Sequence, residues 1–318
     1  MADSQAVAEV RRAVRTLLDE VSVAGHLAVA VSGGADSLAL AAATAQLADR
    51  RGLILHGLIV DHRLQPGSAD VAARAAKQLH GLGFPDVHVL EVDVRGPGGL
   101  EAAARKARYA ALREALPAPD SLVLLGHTRD DQAETVLLGL GRGSGARSIA
   151  GMRRLDPPWA RPLLDVPRAV TAAACADLGL DSWQDPHNAD PGFARVRLRH
   201  EVLPLLEDVL QGGVAPALAR TAAQLREDAE ALDAIAERVL ARATRGVELE
   251  VAELAGEPPA VRRRVLRRWL LDAGVPELSD GHLRSADALI GEWRGQGGVW
   301  LPGGLEVRRA RGRLCVSR

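Results

Sequence analysis

The first half of the chain alternates short apolar runs with longer segments of helical periodicity. The apolar runs have the length of buried strands, and they are HLAVAV (26–31), LILHGLIVD (53–61), VHVLEV (87–92) and SLVLLGH (121–127). Helical stretches rich in alanine and leucine separate them, at about 36–48, 69–83 and 100–116. Strands that alternate with helices imply right-handed crossovers and a parallel sheet covered on both faces. The pattern therefore predicts a doubly wound, Rossmann-like α/β domain, and the near-continuous apolar strands agree with that burial.

The second half has a different pattern, which predicts a smaller and mainly helical domain. A Pro- and Arg-rich passage at 153–169 marks the end of the sheet segments. From 214 to 244 the apolar positions approach heptad spacing, which is typical of a long packed or linker helix. Those positions are Leu218, Ala222, Leu225, Ala229, Leu232 and Val239. A further helix at 258–274 and a hairpin that turns at 302–304 follow. We expect a catalytic domain at 1–210 and the helical domain at 211–318.

The composition is that of a soluble globular enzyme, because 47% of the 318 residues are hydrophobic and 25% are charged. No apolar run approaches the roughly 18 residues that cross a bilayer, and the polar start of the chain lacks the apolar core of a signal sequence. We therefore expect a cytoplasmic protein with no membrane partner. The net charge of −1 does not indicate a polyanion partner, although nucleic-acid binding depends on where arginines cluster. Two distant cysteines, Cys175 and Cys315, cannot form a zinc site or a CxxC redox pair.

A glycine-rich loop follows the first predicted strand and leads into a helix. The loop is SGGADS, made of Ser32, Gly33, Gly34, Ala35, Asp36 and Ser37. Backbone N–H groups and the positive end of a helix bind anions at such a position, and glycines let the backbone approach phosphate oxygens. Asp36 could hold Mg²⁺ or cap the helix. The loop has neither the lysine of a Walker A sequence nor GxGxxG spacing. We interpret it as a nucleotide phosphate site, with an ordinary capped turn as the alternative.

A second polar cluster begins where the fourth predicted strand ends, in GHTRDDQAETVLLGLGRGSGARSIAGM (126–152). Ligands of open parallel sheets gather outside the carboxyl ends of the strands. Asp130 and Glu134 are four residues apart and share a helix face, whereas Asp131 lies one position round. Carboxylates at the start of a helix are often only caps or dipole partners. Three acids beside His127 can instead hold a cationic amine and take up its proton.

Six blocks of the sequence resemble the tRNA(Ile)-lysidine synthetases, a family of N-type ATP pyrophosphatases or PP-loop enzymes. In family order the blocks are SGGADS, VDHRLQPGS (60–68), ARKARYAAL (104–112), GHTRDDQAETVLL…GRGSG, RPLL (161–164) and DPHNADPGFARVRLRHEVLP (185–204). The resemblance spans about 27–204, is loose after about 210, and implies a PP-loop ATPase fold. It also implies a ligase: ATP adenylates the wobble cytosine of a CAU-anticodon tRNA(Ile) at carbon 2, and the ε-amine of L-lysine attacks there. The implied products are lysidine, AMP and pyrophosphate.

The resemblance also implies roles for residues at matching positions. The implied ATP site comprises 32–37 with Asp61, His62, Arg105 and Arg142, and Asp36 is the implied ligand of Mg²⁺. The implied catalytic set comprises Asp36, Arg108, His127, Asp130, Asp131 and Glu134. Within that set, the three acids after His127 would position lysine, and which of them takes the amine proton stays open.

An enzyme that acts on a base of tRNA must also hold the RNA backbone. By the resemblance, Arg142, Arg195 and Arg199 are candidates for RNA or phosphate contact; the family often has Asn where this chain has Val196. The C-terminal candidates are Arg262, Arg263, Arg264, Arg267 and Arg268 on one helix, and Arg308, Arg309, Arg311 and Arg313 in the hairpin. The first five cannot all line one helical stripe, and a solvated face is their alternative. Trp269 is expected in the core, and the heptads near Leu225 are compatible with a homodimer.

Other classes of PP-loop protein fit the sequence less completely. A tRNA-thiolating enzyme shares the loop but needs clustered cysteines, which Cys175 and Cys315 do not provide. An amidotransferase such as GMP or asparagine synthetase needs a glutaminase nucleophile, and no cysteine precedes Cys175. NAD synthetase leaves the 185–204 block unexplained. A non-catalytic module that binds nucleotide or RNA is the remaining alternative, although such a module need not retain both the loop and the acid cluster.

Overall fold

The computed structural model describes residues 4–21, 23, 25–95, 99–143 and 145–318. The chain divides into two units, each with its own hydrophobic core. The first unit is Met1–Gly141 with Gly151–Thr221, and the second is Arg142–Ala150 with Ala222–Arg318. The short segment Arg142–Ala150, which directly follows the helix of the second signature, therefore belongs to the second unit.

The elements follow the alternating pattern of the sequence. The helices are α1 (Gln5–Glu20), α2 (Ala35–Ala48), α3 (Ser68–Gly81), α4 (Leu100–Glu114), α5 (Arg129–Gly141), α6 (Ala146–Ile149), α7 (Arg168–Asp177), α8 (Ala194–Arg197), α9 (Leu203–Val209), α10 (Val214–Ala243), α11 (Ala252–Ala255), α12 (Pro259–Asp272) and α13 (Asp280–Gly291). The strands are β1 (His26–Ala30), β2 (Ile54–Asp61), β3 (Asp86–Glu91), β4 (Leu122–Leu125), β5 (Leu155–Asp156), β6 (Trp159–Ala160), β7 (Thr244–Arg245), β8 (Glu248–Glu250), β9 (Val299–Leu301), β10 (Leu305–Ala310) and β11 (Arg313–Ser317). The four predicted strands of the first half are confirmed as β1 to β4.

The first unit is built on a six-stranded sheet in the order β3-β2-β1-β4-β6-β5. The pairs from β3 to β6 are parallel, and only the short edge strand β5 runs antiparallel to its neighbour. The strand order reverses between β1 and β4, since the chain first builds outward through β2 and β3 and then returns to the other side of β1. This reversal is the topological switch point at which open α/β sheets bind their ligands.

Both faces of that sheet are covered, as the prediction of a doubly wound fold requires. Leu27 and Val29 of β1 belong to a core that includes residues of α1, α2 and α7. Ala28 and Ala30, which alternate with them, pack instead in a core that includes Leu112 of α4. Successive residues of a strand point to opposite faces, so β1 is buried on both sides and reads as a continuous apolar run.

The second unit combines helices with a five-stranded antiparallel sheet in the order β7-β8-β11-β10-β9. The predicted hairpin is confirmed: β9 and β10 pair antiparallel, with Leu301 opposite Leu305, and the chain turns at 302–304. The sequence predicts a mainly helical region with one hairpin, and the structure has three further strands in this sheet. Its strands β7 and β8 have only two and three residues, too few for a visible alternation of apolar and polar positions.

The core of the second unit contains Trp269, as predicted. The side chain is 6% exposed and packs among buried residues of α10, α12, α13 and the sheet. Its indole N–H donates to the carbonyl oxygen of Val247 at 3.0 Å, which satisfies its polar atom. The heptad positions of α10 face inward as well, since Ala222, Ala229 and Val239 are buried within the chain itself.

Among the described residues, no single helix combines the length and the apolar character needed to cross a membrane. The segments Ala194–Val209 and Val214–Ala243 reach that length and composition only when joined, across a sharp bend. The cytoplasmic location stays a prediction.

Candidate active site

The register of the central strands places the two polar signatures side by side. Ala30 near the end of β1 is opposite Leu125 at the end of β4. The SGGADS loop therefore leaves the sheet next to the segment that begins with Gly126 and His127. Gly126 makes this proximity sterically feasible, because a Cβ at that position would lie 3.1 Å from the backbone nitrogen of Ser37. The two signatures, separated by about 90 residues of sequence, thus form one edge of one site.

The SGGADS loop is braced from within. The backbone N–H of Ser32 donates to Oγ of Ser37 at 3.2 Å, and that hydroxyl donates to the carbonyl oxygen of Gly34 at 2.9 Å. Gly33 has a φ of +83°, a left-handed conformation that side chains rarely adopt. Helix α2 starts directly after Gly34, which has no side chain to cap the first N–H groups. A helix start without a side-chain cap favours an anion at this position.

A cavity of about 840 Å³ opens beside this loop. That volume suits a nucleotide and part of a second ligand. The predicted site residues that line it are Ser32, Gly34, Ala35, Asp36, Ser37, His62, Arg105, Arg108, His127, Asp131 and Glu134. Arg195 and Arg199, predicted to contact RNA or phosphate, also line it. The structure therefore brings the loop, the basic residues and two of the three clustered acids into a single site.

Four of the predicted site residues do not line this cavity. Gly33 packs next to Ala75 of α3, where an added Cβ would lie 3.7 Å from the Cβ of Ala75. Asp61 is buried and accepts a hydrogen bond from the backbone N–H of Arg63 at 2.9 Å; it lines a smaller adjoining cavity of about 110 Å³. Asp130 is described below. Arg142 belongs to the second unit, and its role at the ATP site stays a prediction.

Asp131 uses its two carboxylate oxygens for different purposes. Oδ2 accepts hydrogen bonds from the backbone N–H and the hydroxyl of Thr128, at 2.7 and 2.9 Å. This is one half of a capping box at the start of α5. Oδ1 accepts from the guanidinium of Arg168 at 2.5 Å. Burial alone would raise the pKa of Asp131, but Arg168, His127 and the Thr128 hydrogen bonds lower the pKa below its ordinary value. The group is therefore anionic at neutral pH.

Glu134 is the centre of an arginine cluster. Its side chain has no exposed surface, and its carboxylate lies 2.8 Å from Nε of Arg199, 3.4 Å from Arg168 and 3.8 Å from Arg195. Arg199 sits on a π-helical turn, Leu198–Val202, between α8 and α9. A buried carboxylate is costly unless it is paired, so these arginines offset the cost of burying Glu134.

Asp130 has a different partner from the one that its spacing suggests. Its Oδ2 accepts a hydrogen bond from the backbone N–H of Arg168 at 2.8 Å, at the first residue of α7. A carboxylate at that point satisfies an otherwise unpaired helix N–H and complements the helix dipole. Asp130 thus joins the start of α5 to the start of α7 and fixes the position of the Arg168 backbone.

Asp36 projects from the first turn of α2 toward the same cluster. Its carboxylate accepts a hydrogen bond from the hydroxyl of Thr171 and lies 3.6 Å from Nε of Arg168. Burial raises its pKa above the ordinary value. Among the described residues, no group of three or more His, Cys, Asp or Glu side chains could hold a metal by itself. A single carboxylate beside a phosphate loop nevertheless fits Mg²⁺, which proteins often bind through one or two carboxylates together with phosphate oxygens and water.

Two histidines of the cavity each have a buried ring nitrogen with no hydrogen-bond partner in the part of the chain that the structure describes. These atoms are Nδ1 of His62 and Nδ1 of His127. Buried polar atoms are rarely left unsatisfied, so both nitrogens are sites where a ligand could bind. Burial lowers the pKa of His127 to about 3 and lowers that of His62 as well. Both rings are therefore neutral at neutral pH.

Two arginines of α4, Arg105 and Arg108, add positive charge to the lining of the cavity. Arg105 lies 4.9 Å from the ring centroid of Tyr109 and within 3.4 Å of its hydroxyl. Burial lowers the pKa of Arg108 from its ordinary value, although an arginine remains charged throughout the physiological range. Their positions are compatible with phosphate contacts.

Sequence reasoning missed Arg168 and Thr171 as site residues. Both lie on α7; Arg168 is in the Pro- and Arg-rich passage at 153–169, which was interpreted only as the end of the sheet, and Thr171 follows that passage. Arg168 contacts Asp36, Asp131 and Glu134, and these acids raise its pKa although burial opposes them. The signal that could have revealed it is its position four residues after the RPLL block, at the start of a helix with no further charged residue before Asp177.

Comparisons with known proteins agree with this geometry. A family model described as a PP-loop domain matches residues 6–206, and one described as the TilS substrate binding domain matches 249–315. The tRNA(Ile)-lysidine synthase of Rhodococcus erythropolis is 57% identical over 320 residues, covering 99% of this chain and 97% of its own. That of Mycobacterium tuberculosis is 56% identical over 309 residues, covering 96% and 93%.

A solved structure has the same fold at much lower identity. It is the U34-tRNA thiolase NcsA from Methanococcus maripaludis with its [4Fe-4S] cluster, with a TM-score of 0.55 and 19% identity over 70% of this chain and 80% of that one. This likeness concerns the fold alone. The identity across nearly the whole length of the lysidine synthases, together with the family-model matches, decides the relationship: the chain belongs to the tRNA(Ile)-lysidine synthase family.

Proposed function

We propose that this protein is a ligase that converts the wobble cytosine of a CAU-anticodon tRNA(Ile) into lysidine, using ATP and free L-lysine. The oxygen on carbon 2 of the base attacks the α phosphorus of ATP, and pyrophosphate leaves. The ε-nitrogen of lysine then attacks carbon 2, and the oxygen leaves with AMP. The observation that carries this proposal is that one cavity holds a phosphate loop, several arginines and the two acids Asp131 and Glu134.

ATP would bind with its phosphates on residues 32–37 and at the start of α2. Arg105 and Arg108, which line the same cavity, would neutralise phosphate charge. Asp36 would hold Mg²⁺ together with phosphate oxygens, and the ion, when bound, would offset the charge of the leaving pyrophosphate. His62 and Asp61 lie at the adjoining smaller cavity, which suits the nucleoside part of ATP.

Lysine would bind with its amine at the acid cluster. Asp131 stays anionic at neutral pH and has an oxygen that faces Arg168 rather than a backbone cap. Glu134 is enclosed by arginines and has no exposed surface, so its role is to hold those arginines in position. His127 is neutral and has an unpaired buried nitrogen. We therefore assign Asp131 to the amine and His127 to a hydrogen bond with the substrate.

The tRNA would contact both parts of the chain. Residues 1–210 carry the chemistry in this proposal, and 211–318 hold the RNA. Arg195 and Arg199 line the cavity and belong to its wall rather than to an outer RNA surface. Val196 is 8% exposed and provides an apolar contact where the family often has an amide. A cytoplasmic location agrees with these substrates, and a homodimer stays a prediction.

Incorporation of radiolabelled lysine into tRNA(Ile) transcripts tests the proposal. With ATP and Mg²⁺ present, label should enter a transcript with a CAU anticodon and not one with GAU. Absence of label from both transcripts, with AMP formed against another substrate, would retain pyrophosphatase chemistry and reject lysidine formation.

Two alternatives predict different results. A thiolating enzyme would need sulfur carriers, whereas Cys175 is buried in the core of the first unit and Cys315 lies in the second. A non-catalytic module would bind ATP without cleaving it. Conversion of ATP to AMP and pyrophosphate only when tRNA is present separates the ligase from such a module.

A further inference from the structure

The second unit has an arginine-lined groove of its own, with a volume of about 270 Å³. Two helical stripes and one turn form its walls. The stripe on α10 consists of Asp233, Ala236, Glu237 and Leu240, the stripe on α12 consists of Arg264, Val265, Arg267, Arg268 and Leu271, and Arg147 comes from α6. Within each stripe the residues recur every three to four positions, which is the spacing of a single helix face.

Only some of the arginines of α12 line the groove. Arg262 turns away and forms an ion pair with Asp287, at 2.6 Å. Arg264, Arg267 and Arg268 line the groove together. The sequence predicts that all five arginines of this helix cannot lie on one stripe, and the structure confirms it.

One carboxylate fixes two of these guanidinium groups. Oδ1 of Asp233 accepts hydrogen bonds from Arg147 at 2.6 Å and from Nε of Arg264 at 2.9 Å. Four arginines against two acids leave the lining with a formal excess of two positive charges. The floor between them is apolar, since Ala236 and Val265 are buried.

The guanidinium of Arg267 lines the groove with its N–H donors available to a ligand. Its side chain is half-buried, and within the described ranges it forms no hydrogen bond or ion pair. Its neighbour Arg268 is held by the exposed Asp272 at 3.1 Å. A guanidinium offers up to five N–H donors in a planar fork that matches phosphate oxygens. A concave, positively charged surface with such a donor fits a phosphate group.

We propose that this groove binds a backbone phosphate of the substrate tRNA, with Arg267 as the principal contact; the inference rests on the proposed function. RNA carries one phosphate charge per nucleotide, and contacts to phosphate position the nucleic acid without reading its sequence. The groove includes Arg147, which lies in the segment directly after α5, the helix that carries Asp131 and Glu134. One wall residue of the groove, Arg147, therefore follows the helix of the catalytic acids closely along the chain.

The test compares Arg267→Gln with a charge-matched control, Arg238→Gln. Arg238 lies on α10, is exposed and does not line the groove. Binding of CAU tRNA(Ile) is measured by filter binding over a range of NaCl concentrations, and the unfolding midpoint is measured for each variant. Arg267→Gln should weaken binding about three- to tenfold and reduce the salt slope by about one, as expected for loss of one phosphate contact. Both variants should keep the wild-type unfolding midpoint, because neither arginine has a hydrogen-bond or ion-pair partner among the residues that the structure describes.

A second pair of variants should act in the opposite direction. Glu237→Gln removes a negative charge from the groove and should tighten tRNA binding about twofold to threefold, whereas Glu227→Gln on the same helix should not. Equal binding by Arg267→Gln and Arg238→Gln would overturn the inference. Lysidine formation by the wild-type protein at saturating tRNA is measured in parallel. Its absence would reject the proposed function, whereas its presence with equal binding by the two arginine variants would reject only the phosphate groove.

Discussion

Arg199 binds Glu134 through two hydrogen bonds, from Nε to Oε1 at 2.8 Å and from a terminal nitrogen to Oε2 at 3.3 Å. The carboxylate has no exposed surface, so this pairing offsets the cost of burying it. Sequence reasoning placed Arg199 among the RNA or phosphate contacts and Glu134 among the residues that hold lysine. The two residues also pair with each other and line the cavity, and we propose that this pair holds its wall while Asp131 is the acid that binds the lysine amine.

Replacement of Arg199 by alanine should destabilise the first unit. The change leaves Glu134 buried with only the longer contacts to Arg168 and Arg195, and loss of one partner of a buried pair costs about 3 kcal/mol. Urea unfolding, monitored by circular dichroism, measures the free energy of unfolding. The control is Arg197→Ala, which removes an exposed pair with Glu201 and should not change stability measurably. Equal effects of the two substitutions would contradict the buried pair.

Arg168→Lys should lower the rate of lysine transfer while the protein remains folded. Lysine keeps the charge but cannot place one planar group against Asp36, Asp131 and Glu134 together. A displacement of about 1 Å at a catalytic cluster can reduce turnover about a hundredfold. Steady-state incorporation of lysine measures kcat and KM. Arg154→Lys, which alters an exposed pair with Glu20, is the matched control. Unchanged kcat in Arg168→Lys would show that lysine transfer does not require the planar guanidinium of Arg168 between the acids.

Four strands, the phosphate loop and the core position of Trp269 could be predicted because each depends on local sequence. An apolar run, a loop between strand and helix, or an indole among apolar helix positions carries its own signal. Arg168 and Thr171 could not be found in this way, since they reach Asp36 from α7, about 130 residues away in sequence. Their role depends on how α7 packs beside α2, which no local pattern specifies.

Asp130 shows a second limit of prediction from residue spacing. Its spacing from Glu134 gives the two residues the same helix face, and that expectation follows correctly from helix geometry. Which donor lies opposite that face is set by the start of α7, where the backbone N–H of Arg168 takes up the carboxylate. Spacing therefore predicts which side chains lie near one another, but not which of them remains available to a ligand.

His127 should make the protein less stable as the pH falls below 6.5. Its pKa is about 3 in the folded protein, against an ordinary value of 6.5, so in this interval the unfolded chain binds a proton that the folded chain does not. Stability therefore rises with pH across this window, and the cost reaches roughly 2 kcal/mol at about pH 5. His127→Gln should show a shallower loss between about pH 7 and pH 5 in urea unfolding. Identical pH slopes would mean that His127 is not buried in its neutral form.

Trp269→Phe should lower stability without weakening the binding of tRNA. The substitution loses the hydrogen bond to Val247 and leaves a small cavity, at a cost of about 1–2 kcal/mol. Trp300, which is 67% exposed, provides the contrasting site, because Trp300→Phe should leave the unfolding midpoint unchanged. Weaker tRNA binding by Trp269→Phe at unchanged stability would instead indicate a stacking platform.

The most direct test separates the two half-reactions in Asp131→Asn. Asparagine keeps an oxygen that can accept from Thr128 but removes the charge assigned to the amine of lysine. In single-turnover reactions with ATP and CAU tRNA(Ile), pyrophosphate release and incorporation of labelled lysine are measured in the same samples. We expect pyrophosphate release to change only severalfold, whereas lysine incorporation should fall about a hundredfold or more. Parallel loss of both signals, or retention of both, would contradict the assignment of Asp131 to lysine.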